Sequence, residues 1–241
     1  MTLLHDGELS AAFDHAARRY DLLTAVNPGY RADLRRSARR LRLPGGGAGL
    51  RLLDLGCGTG ASTAALLATA PHAEIVAVDA SAGMLERAAA KPWPPGVSFV
   101  HAPAEGLAGA GAGGFDAVFA AYLFRNVTDP DAVLAAVRTA LNPGGRLAVH
   151  EYTLSGSAVH RAVWTAVCRG IVLPAGRLAG DGGLYRHLWR SVLAFDTVHD
   201  FTARLWRTGF HQVRALPLPG WQTGITHTVV AAAPDIRQET P

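Results

Sequence analysis

RLLDLGCGTGAST, residues 51–63, is the stretch that decides the fold. An apolar run ends in an acid, Asp54, and three glycines follow at alternate positions, Gly56, Gly58 and Gly60. Glycines behind a strand let the chain turn tightly and admit a ligand close to the backbone, ahead of a helix N-terminus whose amides face it. The loop alone fits more than one ligand. Gly56, Gly58 and Ala61 satisfy the dinucleotide fingerprint, and Asp79 ends the next strand, where a ribose-binding acid belongs.

Working outward, apolar runs at 51–55, 74–79, 97–101, 115–121 and 145–152 read as strands. Helical stretches near 60–70, 82–91 and 129–141 lie between most of them. Asp129 before Pro130 is an N-cap and first-turn pair, and LNPGG (141–145) is a helix exit. Such alternation predicts a parallel sheet covered on both faces. Upstream, a helix over 8–24 carries Leu9, Phe13, Ala16, Tyr20 and Leu23 on one side. NPGY (27–30) breaks it, an arginine-rich helix runs to about residue 42, and LPGGGAGL (43–50) is a joint. Residues 155–209 read as mostly helical, and strands at 211–217 and 225–232 close the chain. GLAGAGAGGF (106–115) reads as a mobile loop, and the tail past Pro234 as disordered.

The 241 residues suit one large α/β domain. No apolar run reaches the length of a membrane-spanning helix, and no basic region with an apolar block behind it opens the chain. A cytoplasmic protein is expected, with peripheral membrane contact as its variant. Cys57 and Cys168 lack metal-ligand spacing, so no metal is expected and both are read as reduced thiols. Net charge is +4, and Lys91 is the single lysine among 23 basic residues. Arg31, Arg35, Arg36, Arg39, Arg40 and Arg42 cluster on one segment, read first as a solvated face and second as a contact for an anionic membrane surface or substrate. That segment has no interleaved aromatics for stacking on bases, so nucleic acid is not an expected partner.

Three features turn the glycine loop towards S-adenosylmethionine. Asp54 would repel a pyrophosphate and attract the ammonium of an amino-acid end. HAPAEGL (101–107) places Ala104 and Glu105 where an adenine amino group would be received. FDAVFAAYLFRNVTDPDAVLAAVRTALNPGGRLAVHEY (115–152) supplies a long strand, turn, helix and strand in sequence.

The chain resembles class I methyltransferases, and within them the ubiquinone/menaquinone C-methyltransferases of the UbiE/MenG type. FDHAARRYDLL (13–23) looks like that family's FDxxAxxYD segment. LLDLGCGTG (52–60) and VAVDASAGML (76–85) look like its cofactor motifs. LFRNVTD (123–129) is similar to LRNV(T/P)D, and LNPGGRLAVHEY (141–152) to LKPGGxLxxLEF. LYRHLWRSVLAF (184–195) resembles YxYLxxSIxxFP, and TGF (208–210) with Gly224 and Ile225 mirrors its closing segment. The fold implied is Rossmann-like: a mostly parallel seven-stranded α/β sheet with helices on both faces. It would be a single domain, with a helical cover (1–45), a cofactor core (46–154), a helical substrate cover (155–209), closing strands (210–233) and a tail (234–241).

The resemblance also implies roles. Asp54, Gly56, Gly58, Thr59 and Gly60 would line the methionine end and ribose edge of the cofactor, and Asp79 with Ala80 the ribose. Met84, Ala104 and Glu105 would flank adenine, with Ala121 near the amino group. Tyr20 and Arg31 would cover the methionine moiety, Arg31 pairing with its carboxylate. Arg125 and Asn126 would sit beside the methyl group, Arg125 stabilising a phenolate. Glu151 would relay a proton, and His150, where the family usually has an apolar residue, is either an added base or a hydrogen-bonded neighbour. Tyr122, Tyr152, Trp164 and Tyr185 would line an acceptor pocket.

The reaction implied is C-methylation of a prenylated quinol, of the demethylmenaquinol kind, or of a related isoprenoid. The expected partner is a small lipophilic or aromatic acceptor, and a homodimer is an open expectation. Departures from the family fall in the acceptor half: Leu34-Arg35 for a WR pair, His187 for a tyrosine, Arg190 for an acid and Asp196 for a proline. They keep open O- or N-methylation of a small aromatic or carotenoid-linked product, and a non-methylating enzyme that holds the same cofactor.

Overall fold

Leu52, Leu53 and Leu55 are wholly buried in β1 (Arg51–Leu55), the strand at the centre of the sheet. Leu53 and Leu55 face one core and Leu52 the other, which is why the sequence there is a continuous apolar run and not an alternating one. The coordinates are a computed structural model, which describes residues 6–25, 29–107, 113–178 and 180–235. The mobile loop expected at 106–115 lies partly, and the tail expected after Pro234 mostly, outside those residues.

β2 (Glu74–Asp79) and β4 (Phe115–Ala121) flank β1 in parallel. β3 (Val97–His101) lies beyond β2, and β5 (Leu141–Tyr152) beyond β4. β7 (Thr226–Ala232) pairs antiparallel with β5, and β6 (His211–Pro217) antiparallel with β7. The order is β3-β2-β1-β4-β5-β7-β6. It reverses direction between β1 and β4, and a crevice opens at the carboxyl ends of strands on either side of such a switch point.

Helices cover both faces. α2 (Tyr30–Arg39) and α3 (Ala61–Leu67) pack Leu34, Ala38, Ala65 and Leu66 on one side. α5 (Pro130–Ala140) and α9 (Val198–Arg207) pack Val133, Val137, Phe201 and Leu205 on the other. α1 (Asp6–Ala25) reaches α4 (Ala82–Ala89): Asp14 Oδ1 accepts from Ser81 Oγ and, at 2.9 Å, from the Gly83 amide. After β5 come α6 (Ala158–Val167), a π-helical turn (Cys168–Val172), α7 (Leu173–Leu178) and α8 (Gly182–Ala194).

The pair Asp129 and Pro130 opens α5 as the sequence predicts, with Asp129 Oδ1 accepting from the Ala132 amide at 3.0 Å. The segment LNPGG, expected to lie outside the fifth strand, instead belongs to β5, which begins at Leu141. Leu141 pairs with Phe115, and the register then jumps to Arg146 opposite Ala117. The bulge absorbs the proline and glycines, with Gly144 at φ 74°.

Candidate active site

The glycine loop is fastened to its neighbouring strand. The amides of Gly56 and Cys57 both donate to the Val78 carbonyl, at 2.8 and 3.0 Å. Asp79 then accepts from the Gly58 amide at 2.7 Å and from the Ser81 amide at 2.9 Å, so one carboxylate spans both loops of the crevice. Burial raises its pKa, and these amide bonds oppose the rise. Gly56 stands at φ 76°, and a Cβ there would lie 3.0 Å from Leu123. At Gly60 (φ 90°) it would meet Trp93 at 2.8 Å. Only glycine fits either place without displacement.

Asp54 lies beneath the loop, wholly buried. Its Oδ2 accepts from Ser62 Oγ at 2.8 Å and Thr63 Oγ1 at 2.6 Å. Its Oδ1 is buried and has no hydrogen-bond partner among the described residues. Burial raises the Asp54 pKa to about 7, against the pull of the two hydroxyls.

A cavity of about 620 Å³ opens above the switch point. Gly56, Gly58, Asp79 and Ala80 form its base, and Met84 with Ala104 one apolar wall. Glu105 stands exposed at its edge. Ala121, Tyr122, Arg125 and Asn126 form the opposite wall, and Leu9, Ser10 and Phe13 of α1 border it. A second space of about 40 Å³ lies between Tyr30, Thr59, Ser62 and Tyr122.

The wall after β4 is held in an unusual backbone. Tyr122 has φ 58°, which a non-glycine residue adopts at some cost. Its amide donates to the His150 carbonyl at 2.8 Å. Its carbonyl accepts from Arg125 Nη1 at 2.9 Å and Asn126 Nδ2 at 3.0 Å. Arg125 Nη1 also meets Glu151 Oε1 at 2.6 Å, and Glu151 is wholly buried. Burial raises the Glu151 pKa; the adjacent Arg125 guanidinium and the Tyr152 amide work against the rise. Asn126 Oδ1 lies 3.0 Å from His187 Nε2 on α8. Because the Asn126 amide nitrogen donates to Tyr122, its oxygen is the acceptor and His187 the donor.

Behind Tyr122 stands an aromatic ladder. Tyr152 lies 4.8 Å away by ring centroids, and Trp164 lies 4.7 Å beyond Tyr152. Tyr30 stacks against Tyr122 at 5.9 Å. His150 sits edge-on to Tyr122 at 4.6 Å. Its Nδ1 is 2.8 Å from Ser37 Oγ, which is 2.7 Å from Thr228 Oγ1, which accepts from Arg40 Nη1 at 2.7 Å. The Ser37 and Thr228 hydroxyls can relay in either sense, so the chain joins His150 to Arg40 through two hydroxyls whichever imidazole nitrogen carries the hydrogen. The Nε2 of the ring is buried without a partner among the described residues. Burial lowers the His150 pKa to about 3, so the ring is neutral.

Eleven of the residues singled out in the sequence therefore line the large cavity: Gly56, Gly58, Asp79, Ala80, Met84, Ala104, Glu105, Ala121, Tyr122, Arg125 and Asn126. Thr59 lines the small one. Asp54, Glu151, His150, Tyr152 and Trp164 stand behind these walls. Gly60 ends the loop as the N-cap of α3. Tyr185 packs on Gly176 between α7 and α8 and is not among the cavity's walls. Arg31 is exposed, because α2 turns Leu34, Ser37 and Ala38 inward. It is Tyr30 that lines the small cavity. Tyr20 falls within α1, but its side chain lies outside the described residues. The sequence reading missed Tyr30, Ser37 and the bond from His187 to Asn126. The inward stripe of α2 at Tyr30, Leu34, Ser37 and Ala38 was the available signal. Among the described residues no cluster of three His, Cys, Asp or Glu is placed to hold a metal ion, and no helix is long and apolar enough to cross a membrane.

A seven-stranded sheet in this order, with a glycine loop at its switch point, is the class I methyltransferase fold. Phosphoethanolamine N-methyltransferase 2 of Haemonchus contortus, solved with S-adenosyl-L-methionine, superposes with a TM-score of 0.66 over 92% of this chain and 57% of its own, at 15% identity. The chain belongs to the ubiE/COQ5 methyltransferase family, whose family model matches residues 1–229. It is 34% identical over 213 residues to the ubiquinone/menaquinone biosynthesis C-methyltransferase UbiE of Syntrophotalea carbinolica, covering 86% of this chain and 88% of the relative. It is 37% identical over 202 residues to the demethylmenaquinone methyltransferase of Thermus thermophilus, covering 82% and 90%. The protein is an S-adenosylmethionine-dependent methyltransferase.

Proposed function

We propose that the protein methylates a ring carbon of a prenylated quinol, with the donor held over the glycine loop. One observation carries this reading. The Asp79-clamped loop opens into the same cavity as Arg125 and Asn126, so a donor site and a site for a developing oxyanion share one space. The cavity volume falls in the usual range for a small-molecule site, about 300–1,000 Å³. The orphaned Oδ1 of Asp54 is a group that a ligand ammonium, directly or through water, would satisfy.

Bound there, S-adenosylmethionine supplies a methyl group on a positively charged sulfur. Asp79 would accept from the ribose hydroxyls, while Met84 and Ala104 would pack on the adenine, with Glu105 at its edge. Thr59 and Gly60 would hold the methionine end, with Ala121 facing it from β4. Arg125 stabilises the acceptor's phenolate, and Asn126 orients it. Glu151, whose pKa is raised by burial, does not line the cavity and is paired with Arg125; it would receive the hydroxyl proton through a water beside Arg125. His150 is wholly buried, has Nδ1 occupied by Ser37 and holds a proton only weakly, so it positions Tyr122 and does not act as the base. Tyr122, backed by Tyr152 and Trp164, forms the aromatic wall. Most of the acceleration comes from orienting the carbon in line with the methyl group and from excluding water.

The test is calorimetric titration with S-adenosylmethionine and, separately, with NAD, on the wild type and Asp79→Ala, followed by product mass with demethylmenaquinol. Binding of S-adenosylmethionine alone, lost in the variant, and a product heavier by one methyl group are expected. A product methylated on oxygen would move the acceptor reading to a different atom. An unchanged mass would remove it.

A further inference from the structure

We propose that the outer face of α6, the π-helical turn and α7 is a docking surface for an anionic lipid bilayer. The assignment rests on the composition of this surface and stands whether or not the acceptor is a quinol.

Residues 158–178 form one unbroken helical run. Its inner side is anchored by Trp164, 2% exposed, and Cys168, fully buried. Its outer side leaves large apolar groups in solvent: Val159 and Ile171 are each 66% exposed, Val163 38% and Leu178 92%. Val159 and Leu178 are nineteen positions apart, and at about 100° per residue a regular helix would turn them apart by roughly a quarter of a turn. A π-turn accommodates one extra residue. The remaining eighteen steps make about five whole turns, so both side chains return to one line along the helix.

Charge selects the occupant. Arg161, Arg169 and Arg177 are exposed on the same run, and no Asp or Glu occurs between Ser155 and Gly180. A second copy docking by this face would set these arginines against their own counterparts with no carboxylate between them. Anionic headgroups supply the missing charge, while the aliphatic groups enter the headgroup–acyl boundary, as in an interfacial amphipathic helix. Arg169 lies over the Trp189 ring at 5.2 Å, which adds an amphipathic aromatic beside the face. Trp164, on the inner side, contacts Tyr152, and Tyr152 contacts Tyr122 at the cavity wall. The docked surface is thus backed by the same aromatic ladder that walls the site.

Co-sedimentation of the full chain with vesicles, without donor or acceptor, tests the surface separately from the reaction. The wild type should bind phosphatidylcholine vesicles containing about a quarter phosphatidylglycerol, bind pure phosphatidylcholine far less, and release with salt. Ile171→Ser with Leu178→Ser should weaken binding roughly tenfold. Arg161→Gln, Arg169→Gln and Arg177→Gln should weaken it about fivefold each. Ile171, Leu178 and Arg177 face solvent, while Arg161 also reaches the Leu193 carbonyl at 3.3 Å and Arg169 covers Trp189, so circular dichroism checks the fold of every variant. Trp206→Ser with Trp221→Ser, exposed apolar groups elsewhere, should leave binding unchanged. Failure of the wild type to bind, or retention of binding by both face variants, would overturn the proposal. So would loss of binding on replacing Arg31, Arg35 and Arg39 of α2 instead, or a finding that the face variants dissolve a dimer and leave vesicle binding intact.

Discussion

Asp54, wholly buried, holds two hydroxyl donors on one oxygen and, among the described residues, none on the other. Its carboxyl, at about pH 7, is poised between charged and neutral forms. A ligand ammonium favours the charged form, so binding must expel the proton whenever the pH lies below that value. S-adenosylmethionine affinity should therefore rise as pH climbs from about 5.5 to 7, by at most about tenfold per pH unit. Asp54→Asn should bind weakly with a flat profile over that range. Titration calorimetry at several pH values reads both; a wild-type profile as flat as the variant's would remove Asp54 from the cofactor's reach. Asp54 was legible because an acid just before a glycine loop is informative. The left-handed Tyr122 was not: the sequence marks an aromatic there, but nothing in it shows that Arg125 and Asn126 are spent partly on the Tyr122 carbonyl.

At the scale of elements, the sequence located β1, β2, β3 and β4 to the residue. β1, β2 and β4 are mostly buried parallel strands that read as apolar runs, and β3, a largely exposed edge strand, still shows as a short β-branched and aromatic run bounded by turn residues. It misplaced the start of β5, where proline and two glycines give a turn signal that a bulge absorbs. It saw residues 155–209 as mostly helical but not how they meet the core. There, His187 of α8 donates to Asn126, where the resembling family has a tyrosine. His187→Phe removes that donor and should lower kcat about tenfold while S-adenosylmethionine affinity holds within about twofold, a loss of order one hydrogen bond. His187→Gln, which keeps a donor, should recover much of it; steady-state kinetics beside calorimetry separate the two effects. In the same segment, Gly176 faces the Tyr185 ring, and a Cβ there would fall 2.5 Å from it. Gly176→Ala should cost about 1–3 kcal/mol by pushing the α7–α8 contact apart. Urea unfolding measures that, and an unchanged midpoint would mean the ring swings away freely.

For the molecule as a whole, two buried groups tie stability to pH with opposite signs. His150 titrates near pH 3 when folded and near 6.5 when unfolded. Its contribution is complete above pH 6.5 and is lost as pH falls towards 3, because only the unfolded chain takes up the proton. Asp54 titrates near 7 folded and near 3.8 unfolded. Between those values the folded protein keeps a proton that the unfolded chain releases, so this contribution is lost as pH rises from about 4 to 7. In the overlap, from about pH 4 to 6.5, the two slopes oppose each other. Asp79 and Glu151, raised by burial, act with Asp54, and His227, lowered by burial, acts with His150. Urea unfolding of the ligand-free protein across this interval should show Asp54→Asn losing stability on acidification more steeply than the wild type. His150→Gln, which can donate to or accept from Ser37, should shift the slope the other way. If the two variants and the wild type share one slope, neither group titrates as its burial requires. The neutral imidazole behind Tyr122 and the proton held beneath the glycine loop would then both be wrong. The opposite shifts are a property of the assembled fold: β1 places Asp54 and β5 places His150 in the sheet's interior, where each must stay uncharged until a partner arrives.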